Sequence, residues 1–249
     1  MAEKPKARLS GQMRRLEGIM LDLFYPQHCS LCGCRTEVEG TGEREVFCDT
    51  CLSKIQPPAE YHCQVCSHPM DGLMLCPNCD GRNWCLETIV TACRYEGGVR
   101  ELIQRFKYGR DIALARPLGR LLLRALDDPR LKGRSFDVVV PIPLHPLRER
   151  ERGFNQAELL ARFLARSMKI PKQVLLKRIR PTAQQAGFDR AHRMENLRGA
   201  FELKRPLPTD ARILLVDDVS TTGATLDACA AVLKKSGAAE ISSVVVARG

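Results

Sequence analysis

Eight cysteines grouped in four CxxC pairs constrain this chain more than any other feature of its sequence. Two residues between cysteines form a tight knuckle that directs both sulfurs at one ion, so two knuckles complete one tetrahedral thiolate site. The spacing therefore predicts about two structural Zn²⁺ ions, with a redox-active cysteine pair and an iron–sulfur cluster as the alternatives. The predicted ligands are Cys29, Cys32, Cys48, Cys51, Cys63, Cys66, Cys76 and Cys79.

The segment 25–88 around these cysteines has few apolar residues and many turn residues. Such a segment buries little core, so metal binding must supply its folding free energy. Pairing the knuckles in sequential order gives a double zinc ribbon, and a cross-braced pairing is the alternative. Before it, the apolar residues Met13, Leu16, Met20 and Leu23 share one face of a predicted helix within residues 1–24.

The ends and the hydropathy of the chain exclude several protein classes. No apolar run reaches the length of a membrane span, so an integral membrane protein is excluded. The charged N-terminus lacks the apolar core of a secretory signal, which predicts a cytoplasmic protein with reduced thiols.

From residue 89 to residue 249 strands and helices alternate. This pattern predicts an α/β domain with a parallel sheet, right-handed crossovers and flanking helices. The predicted strands lie within 87–95, 136–144, 173–179, 211–219 and 241–248, and the predicted helices within 99–109, 112–126, 154–168 and 225–238.

The string ILLVDDVSTTGAT, residues 213–225, carries the strongest chemical signal. A buried strand delivers Asp217 and Asp218, and a Ser/Thr/Gly loop then enters a helix. Amides at a helix N-terminus bind phosphate, and Gly223 lets the backbone approach an anion closely. The two carboxylates accept hydrogen bonds from hydroxyls. A ribose 5-phosphate has a diol and a phosphate at the spacing that suits both halves of this motif.

Basic side chains suited to a diphosphate occur in three other places. Arg148, Arg150, Arg152 and Gly153 follow a buried strand, just before Asn155 and Gln156 open a helix, and guanidinium groups match diphosphate oxygens. Lys107 is a candidate for the same anion. The polar stretch 180–201 adds residues that act when this stretch closes over the site. Its candidates are Arg190, Arg193, Asn196 and Arg198.

Positive charge is concentrated in the middle of the chain. From Arg94 to Arg205 there are 26 Lys or Arg against 12 Asp or Glu. This surplus favours an anionic partner, either a phosphorylated small molecule or nucleic acid, with a solvated surface as the alternative.

The 213–225 string resembles the phosphoribosyl pyrophosphate (PRPP) motif of type I phosphoribosyltransferases. The resemblance implies that Asp217 and Asp218 hold the ribose hydroxyls and that a loop holds the 5-phosphate. This loop comprises Ser220, Thr221, Thr222, Gly223, Ala224 and Thr225.

Together with RGFNQAELLA, QAGFDRAHRMENLRGAF and the cysteine knuckles, the string resembles the ComF family. That resemblance implies a zinc ribbon joined to a phosphoribosyltransferase-like domain and a link to natural transformation. The expected enzyme binds PRPP with Mg²⁺ and transfers a phosphoribosyl group with release of pyrophosphate. The alternatives are a non-catalytic single-stranded DNA-binding protein and a scaffold for DNA-processing proteins.

Overall fold

The computed structural model of the protein describes residues 28–36, 46–72, 75–181, 197 and 199–249. The chain divides into two compact units, Met1–Lys54 and Ile55–Gly249. The first two CxxC pairs belong to the first unit, and the last two pairs belong to the same unit as the main sheet. The helix predicted within residues 1–24 lies outside the described residues.

In the first unit a tight backbone turn surrounds the first knuckle. The Cys29 amide donates to the Cys34 carbonyl at 2.7 Å, and the Gly33 amide donates to the Cys29 carbonyl at 2.9 Å. A short helix, α1 (Asp49–Leu52), begins directly after Cys48 and carries the second knuckle. The sulfur atoms of four cysteines all lie within 4.8 Å of one another. These residues are Cys29, Cys32, Cys48 and Cys51.

In the second unit a similar turn surrounds the third knuckle. The Cys63 amide donates to the His68 carbonyl at 2.8 Å. The sulfurs of Cys63 and Cys79 are 3.6 Å apart, and those of Cys66 and Cys76 are 3.7 Å apart. These four sulfurs also lie within 4.8 Å of one another.

Both clusters have the geometry of a tetrahedral thiolate site. Four sulfurs at about 2.3 Å from one Zn²⁺ stand roughly 3.8 Å from one another. The sulfur separations of 3.6–3.7 Å are close to this value, and no described cysteine forms a disulfide. The donor sets therefore fit structural zinc, and the knuckles pair in sequential order rather than in a cross-brace.

A four-stranded parallel sheet forms the centre of the second unit, as the alternation predicts. Its strands are β1 (Thr88–Arg94), β2 (Val138–Pro141), β5 (Arg212–Ser220) and β6 (Glu240–Arg248). They lie in the order β1-β6-β5-β2. Their continuous apolar runs are buried because helices cover both faces of such a sheet.

Five helices in the described part of the second unit accompany this sheet. They are α2 (Gly97–Tyr108), α3 (Ala115–Ala125), α4 (Pro146–Arg152), α5 (Gln156–Met168) and α6 (Ala224–Lys235), with a 3₁₀ turn at Ile112–Leu114. Helices α3 and α5 approach closely, since a Cβ on Gly119 would lie 2.4 Å from the ring of Phe163. Helix α6 shares a buried cluster with Ile213 and Leu215 of β5.

The strand predicted within 173–179 does not join the parallel sheet. It forms β3 (Leu176–Arg178), which pairs antiparallel with β4 (Phe201–Leu203) in a separate two-stranded sheet. Leu176 is buried whereas Lys177 is exposed. This alternation suits a two-stranded sheet with one wet face, not a strand buried on both faces.

The arginine-rich segment after β2 is a helix, α4, rather than an extended loop. His145 caps its N-terminus by accepting the Leu147 amide at 3.3 Å, and Pro146 occupies the first turn. Proline suits this position because the first amides of a helix lack intrahelical acceptors. Gly153 ends the helix with φ at +85°.

We expect the purified protein to contain about two zinc ions per chain, because each complete cluster offers four thiolates. Cys48→Ser should lower the content to about one zinc and leave the second unit folded, because Cys48 belongs to the other unit. Elemental analysis and circular dichroism measure both effects. Iron with visible absorbance, or a content near zero, would contradict this assignment.

Candidate functional site

Strand β5 carries Asp217 and Asp218 to the carboxyl edge of the parallel sheet. Pro141 at the end of β2 pairs with Val216, so the segments after β2 and β5 leave the sheet at the same edge. Ligands of open α/β sheets bind at this edge. Asp218 is only 6% exposed, and a buried carboxylate is costly unless it is paired.

Lys107 of helix α2 neutralises Asp218. Its Nζ lies 2.8 Å from the Asp218 Oδ1, and the side chains are 15% and 8% exposed. Burial lowers the pKa of Lys107, but the charge and hydrogen bond of Asp218 outweigh this effect, so the pKa is raised. The predicted diphosphate ligand Lys107 thus stands beside the predicted diol ligands.

Asp217 is held in a different state. Its Oδ1 accepts the backbone N–H of Asp218 at 2.8 Å. Burial, together with the negative charge of Asp218, raises the pKa of Asp217 to about 7, while Lys107 and Arg178 act in the opposite direction. The edge therefore combines one ion-paired carboxylate with one that exchanges its proton near neutral pH.

The loop after β5 presents hydroxyls and amides next to this acidic pair. Ser220 is buried, and its hydroxyl has no hydrogen-bond partner among the described residues. Thr221 is exposed, and Thr222 and Thr225 are partly exposed. The loop then enters α6, whose first amides lack intrahelical acceptors. These groups form a set of donors suited to a phosphate.

Gly223 is required at the entry to α6 for two reasons. Its φ of +73° lies in the left-handed region that favours glycine. An added Cβ would also lie 2.7 Å from Ile89 and 2.8 Å from Trp84. The next residue, Ala224, is buried and donates its amide to the Thr222 hydroxyl at 3.3 Å.

Arg152 extends the positive charge around Lys107. Its guanidinium donates to Gln156 Oε1 at 3.0 Å and lies 5.2 Å above the ring of Tyr108. Its charge opposes protonation of Lys107, so the two cations are close in space. Gln156 is buried, and its Nε2 has no partner in the described part of the chain.

The other two arginines of α4 are more exposed. Arg148 forms a surface ion pair with Glu151 at 3.6 Å, and the Nε of Arg150 donates to the Pro146 carbonyl at 3.4 Å. Helix α4 buries none of its residues. The remaining predicted candidates, Arg190, Arg193, Asn196 and Arg198, lie outside the described residues.

The short strand β3 places Arg178, a residue not predicted from the sequence, near the acidic pair. Its charge lowers the pKa of Asp217, and its guanidinium lies 5.5 Å from the centre of the Phe201 ring. Arg178 is 39 positions from Asp217 in the sequence, and only the antiparallel pairing of β3 with β4 brings this segment into place. No local motif marks the residue.

Comparison with known proteins gives matches over both units. The Double zinc ribbon domain family matches residues 20–80, and the Phosphoribosyl transferase domain family matches residues 153–249. Competence protein F of Haemophilus influenzae is 33% identical over 222 residues, which cover 87% of this chain and 89% of that protein.

Two further relatives have similar coverage. DNA utilization protein YhgH of Escherichia coli is 34% identical over 200 residues, which cover 72% of this chain and 86% of that protein. Competence protein ComFC of Bacillus subtilis is 30% identical over 213 residues, with 82% and 85% covered.

Within the described residues, no helix combines the length and the apolar character needed to cross a bilayer. The two domain matches and the long alignments confirm the resemblance inferred from the sequence. The chain therefore belongs to the ComF family of competence and DNA-utilization proteins, in which a double zinc ribbon precedes a phosphoribosyltransferase domain.

Proposed function

We propose that this protein binds PRPP at the carboxyl edge of its sheet and transfers the phosphoribosyl group to an acceptor, with release of pyrophosphate. One observation carries the proposal: two consecutive carboxylates stand directly before a loop whose buried Ser220 hydroxyl lacks a partner among the described residues. We further propose that the reaction serves the handling of imported DNA in the cytoplasm, and the names of the competence and DNA-utilization relatives support this role.

Each half of the site recognises one part of the sugar phosphate. Asp217 and Asp218 accept hydrogen bonds from the ribose 2- and 3-hydroxyls. The loop 220–225 surrounds the 5-phosphate with amides and hydroxyls. Lys107 offsets the repulsion between the two carboxylates and the incoming phosphates, since its charge lies 2.8 Å from Asp218.

The diphosphate faces a set of cations at the same edge. Lys107 and the partly buried Arg178 lie near the acidic pair, Arg152 is close to Lys107, and Arg148 is near Arg178. Fixed positive charge stabilises the pyrophosphate as it leaves with its electron pair. The C1 carbon then has oxocarbenium character and is attacked by the acceptor. We assign no base to the acceptor among the described residues.

Magnesium is the expected companion of PRPP at this edge. The oxygen-rich surroundings fit a hard cation, which binds mainly through substrate phosphates and hydroxyls. When bound, the ion neutralises charge on the diphosphate. The carboxylates of Asp217 and Asp218 lie next to the proposed diol and complement that positive charge.

The variant Asp217→Asn with Asp218→Asn should weaken PRPP binding by at least about tenfold. Hydrogen bonds to charged groups contribute roughly 1.5–3 kcal/mol each, and tenfold in affinity is about 1.4 kcal/mol. Calorimetry with PRPP and Mg²⁺ measures the effect. Asp137→Asn is the matched control, because Asp137 pairs with Arg212 at the opposite edge of the same strands. Unchanged affinity in the folded double variant would end this assignment.

Asp217→Asn should stabilise the ligand-free protein at pH 8 and have little effect at pH 4. The pKa of Asp217 in the folded protein is raised to about 7 from an ordinary value of 3.8. Folding therefore favours the protonated acid. Its contribution to stability is present below about pH 4 and is lost as the pH rises through about 7.

Chemical unfolding at pH 4 and pH 8 measures this pH dependence, and the gain at pH 8 is at most about 4 kcal/mol. Asp218→Asn serves as the contrasting variant. It removes the partner of the buried Lys107 and should destabilise the protein at pH 8. An Asp217→Asn effect that is the same at both pH values would contradict the raised pKa.

A second candidate function is the binding of single-stranded DNA. The protein would then bind DNA either as part of a catalysed reaction or without catalysis, and either by itself or together with DNA-processing proteins. The exposed arginines of α4 and the surplus of basic residues between Arg94 and Arg205 favour it. Binding through DNA phosphates is insensitive to sequence and weakens steeply with salt.

Charge reversal at Arg148 and Arg150 should weaken DNA binding equally for unrelated sequences and reduce its salt dependence. Fluorescence anisotropy with labelled oligonucleotides at several salt concentrations measures both effects. Reversal at the exposed residues Lys132 and Arg166 controls for net charge. Equal losses in the two double variants would argue against a DNA contact at α4.

A further inference from the structure

The segment that carries the last CxxC pair forms hydrogen bonds with the proposed phosphate loop, residues 220–225. The carbonyl of Thr222 accepts the guanidinium of Arg82 at 2.9 Å and the Nδ2 of Asn78 at 3.2 Å. Asn78 lies between Cys76 and Cys79, and Arg82 follows three residues after the pair. Neither residue belongs to a motif that predicts a functional site from the sequence.

Arg82 is itself held by several contacts. Its side chain is 4% exposed, and its guanidinium lies 3.8 Å from the centre of the Trp84 ring. The Arg82 NH2 is 3.7 Å from Asp227 of α6, and Asp227 accepts the Cys85 amide at 2.8 Å. Trp84 in turn blocks any side chain at Gly223. The segment 78–85 therefore contacts both the loop and the helix that follows it.

The other knuckle of the same cluster, Cys63–Cys66, forms hydrogen bonds with two strands of the sheet. The Cys66 carbonyl accepts the guanidinium of Arg248 at 2.5 Å, and the Ile89 amide donates to the Val65 carbonyl at 2.7 Å. Arg248 pairs in register with Ser220, the residue at which the loop begins. The second cysteine cluster thus connects the strand ends to the loop.

The direction of one peptide plane gives these contacts a consequence for ligand binding. A trans peptide is planar, so its carbonyl and its N–H point in opposite directions. With the Thr222 carbonyl held toward Asn78 and Arg82, the Gly223 N–H points away from the cluster. If the Thr222–Gly223 peptide rotated by about 180°, the Thr222 carbonyl oxygen would take the place of the Gly223 N–H. That oxygen would repel an anion bound there.

We propose that Asn78 and Arg82 are positioning residues that fix the Thr222–Gly223 peptide for phosphate binding, and that the second cysteine cluster with its metal holds them in place. This inference rests on the proposed function for its ligand. It also predicts that the two metal sites differ in their effect on ligand binding. The cluster of Cys63, Cys66, Cys76 and Cys79 supports the sugar-phosphate site, and the cluster in the first unit is not needed for it.

The test compares Arg82→Gln combined with Asn78→Ala against Arg130→Gln. Arg130 is a matched control because it is also a largely buried arginine next to the second cluster, with its NH1 3.4 Å from the Cys63 carbonyl and 2.9 Å from Ser67 Oγ, but it binds Asp128 instead of the loop. Zinc content and unfolding temperature report on structure. Hydrogen exchange over residues 219–228 reports on the loop, and calorimetry gives the affinities for ribose 5-phosphate and pyrophosphate.

The double variant should keep its zinc and exchange loop amides faster. It should bind ribose 5-phosphate about tenfold more weakly and bind pyrophosphate unchanged, because Arg82 and Asn78 donate to Thr222 of the proposed 5-phosphate loop. Arg130→Gln should lower the unfolding temperature and leave exchange and both affinities within twofold. Arg82→Lys with Asn78 intact should restore part of the affinity, since it keeps one donor.

The inference would be overturned if the double variant and Arg130→Gln had the same rates of loop hydrogen exchange and the same ligand affinities. Wild-type protein that binds neither ribose 5-phosphate nor pyrophosphate would contradict the proposed function instead, and the exchange of the ligand-free loop would still decide the role of Arg82. Cys76→Ser should speed loop exchange, whereas Cys48→Ser should not. Equal effects of the two cysteine variants would also count against the inference.

Discussion

Two adjacent carboxylates at the end of β5, the partly exposed Asp217 and the buried Asp218, are the constraint on which the candidate site depends. Desolvation of two neighbouring negative charges is unfavourable, and the two carboxylates are accommodated in different ways. Asp218 forms an ion pair with Lys107 at 2.8 Å, whereas the pKa of Asp217 rises to about 7. Apolar residues at this position would stabilise the fold more, and this supports our proposal of a ligand that uses both acids.

The surroundings of the pair follow from the topology of the sheet. Because β2 and β5 are parallel neighbours, the arginine-rich helix α4 and the loop 220–225 begin at the same edge. Helix α2 brings Lys107 to the acids, and the cysteine-rich segment supports the far side of the loop through Thr222. In the second unit, the ribbon and the sheet therefore form one structure around the proposed ligand.

The sequence predicts the features that local patterns encode. The CxxC spacing predicts both four-sulfur clusters, and the apolar run before Asp217 predicts β5 and its loop. It does not predict contacts between distant segments. Arg82 lies 140 positions from Thr222, and the approach of Arg178 depends on the β3–β4 pairing. Helix α4 was missed because its basic residues show no apolar periodicity.

The most direct test of the account is the affinity of the protein for ribose 5-phosphate compared with 2-deoxyribose 5-phosphate, each measured by calorimetry under the same conditions. The two ligands share the 5-phosphate and differ by one hydroxyl of the diol that Asp217 and Asp218 are proposed to hold. The account predicts that the ribose compound binds at least about tenfold more tightly, since one hydrogen bond to a charged group contributes roughly 1.5–3 kcal/mol. Equal affinity for the two compounds would contradict the recognition of a ribose diol by the acidic pair.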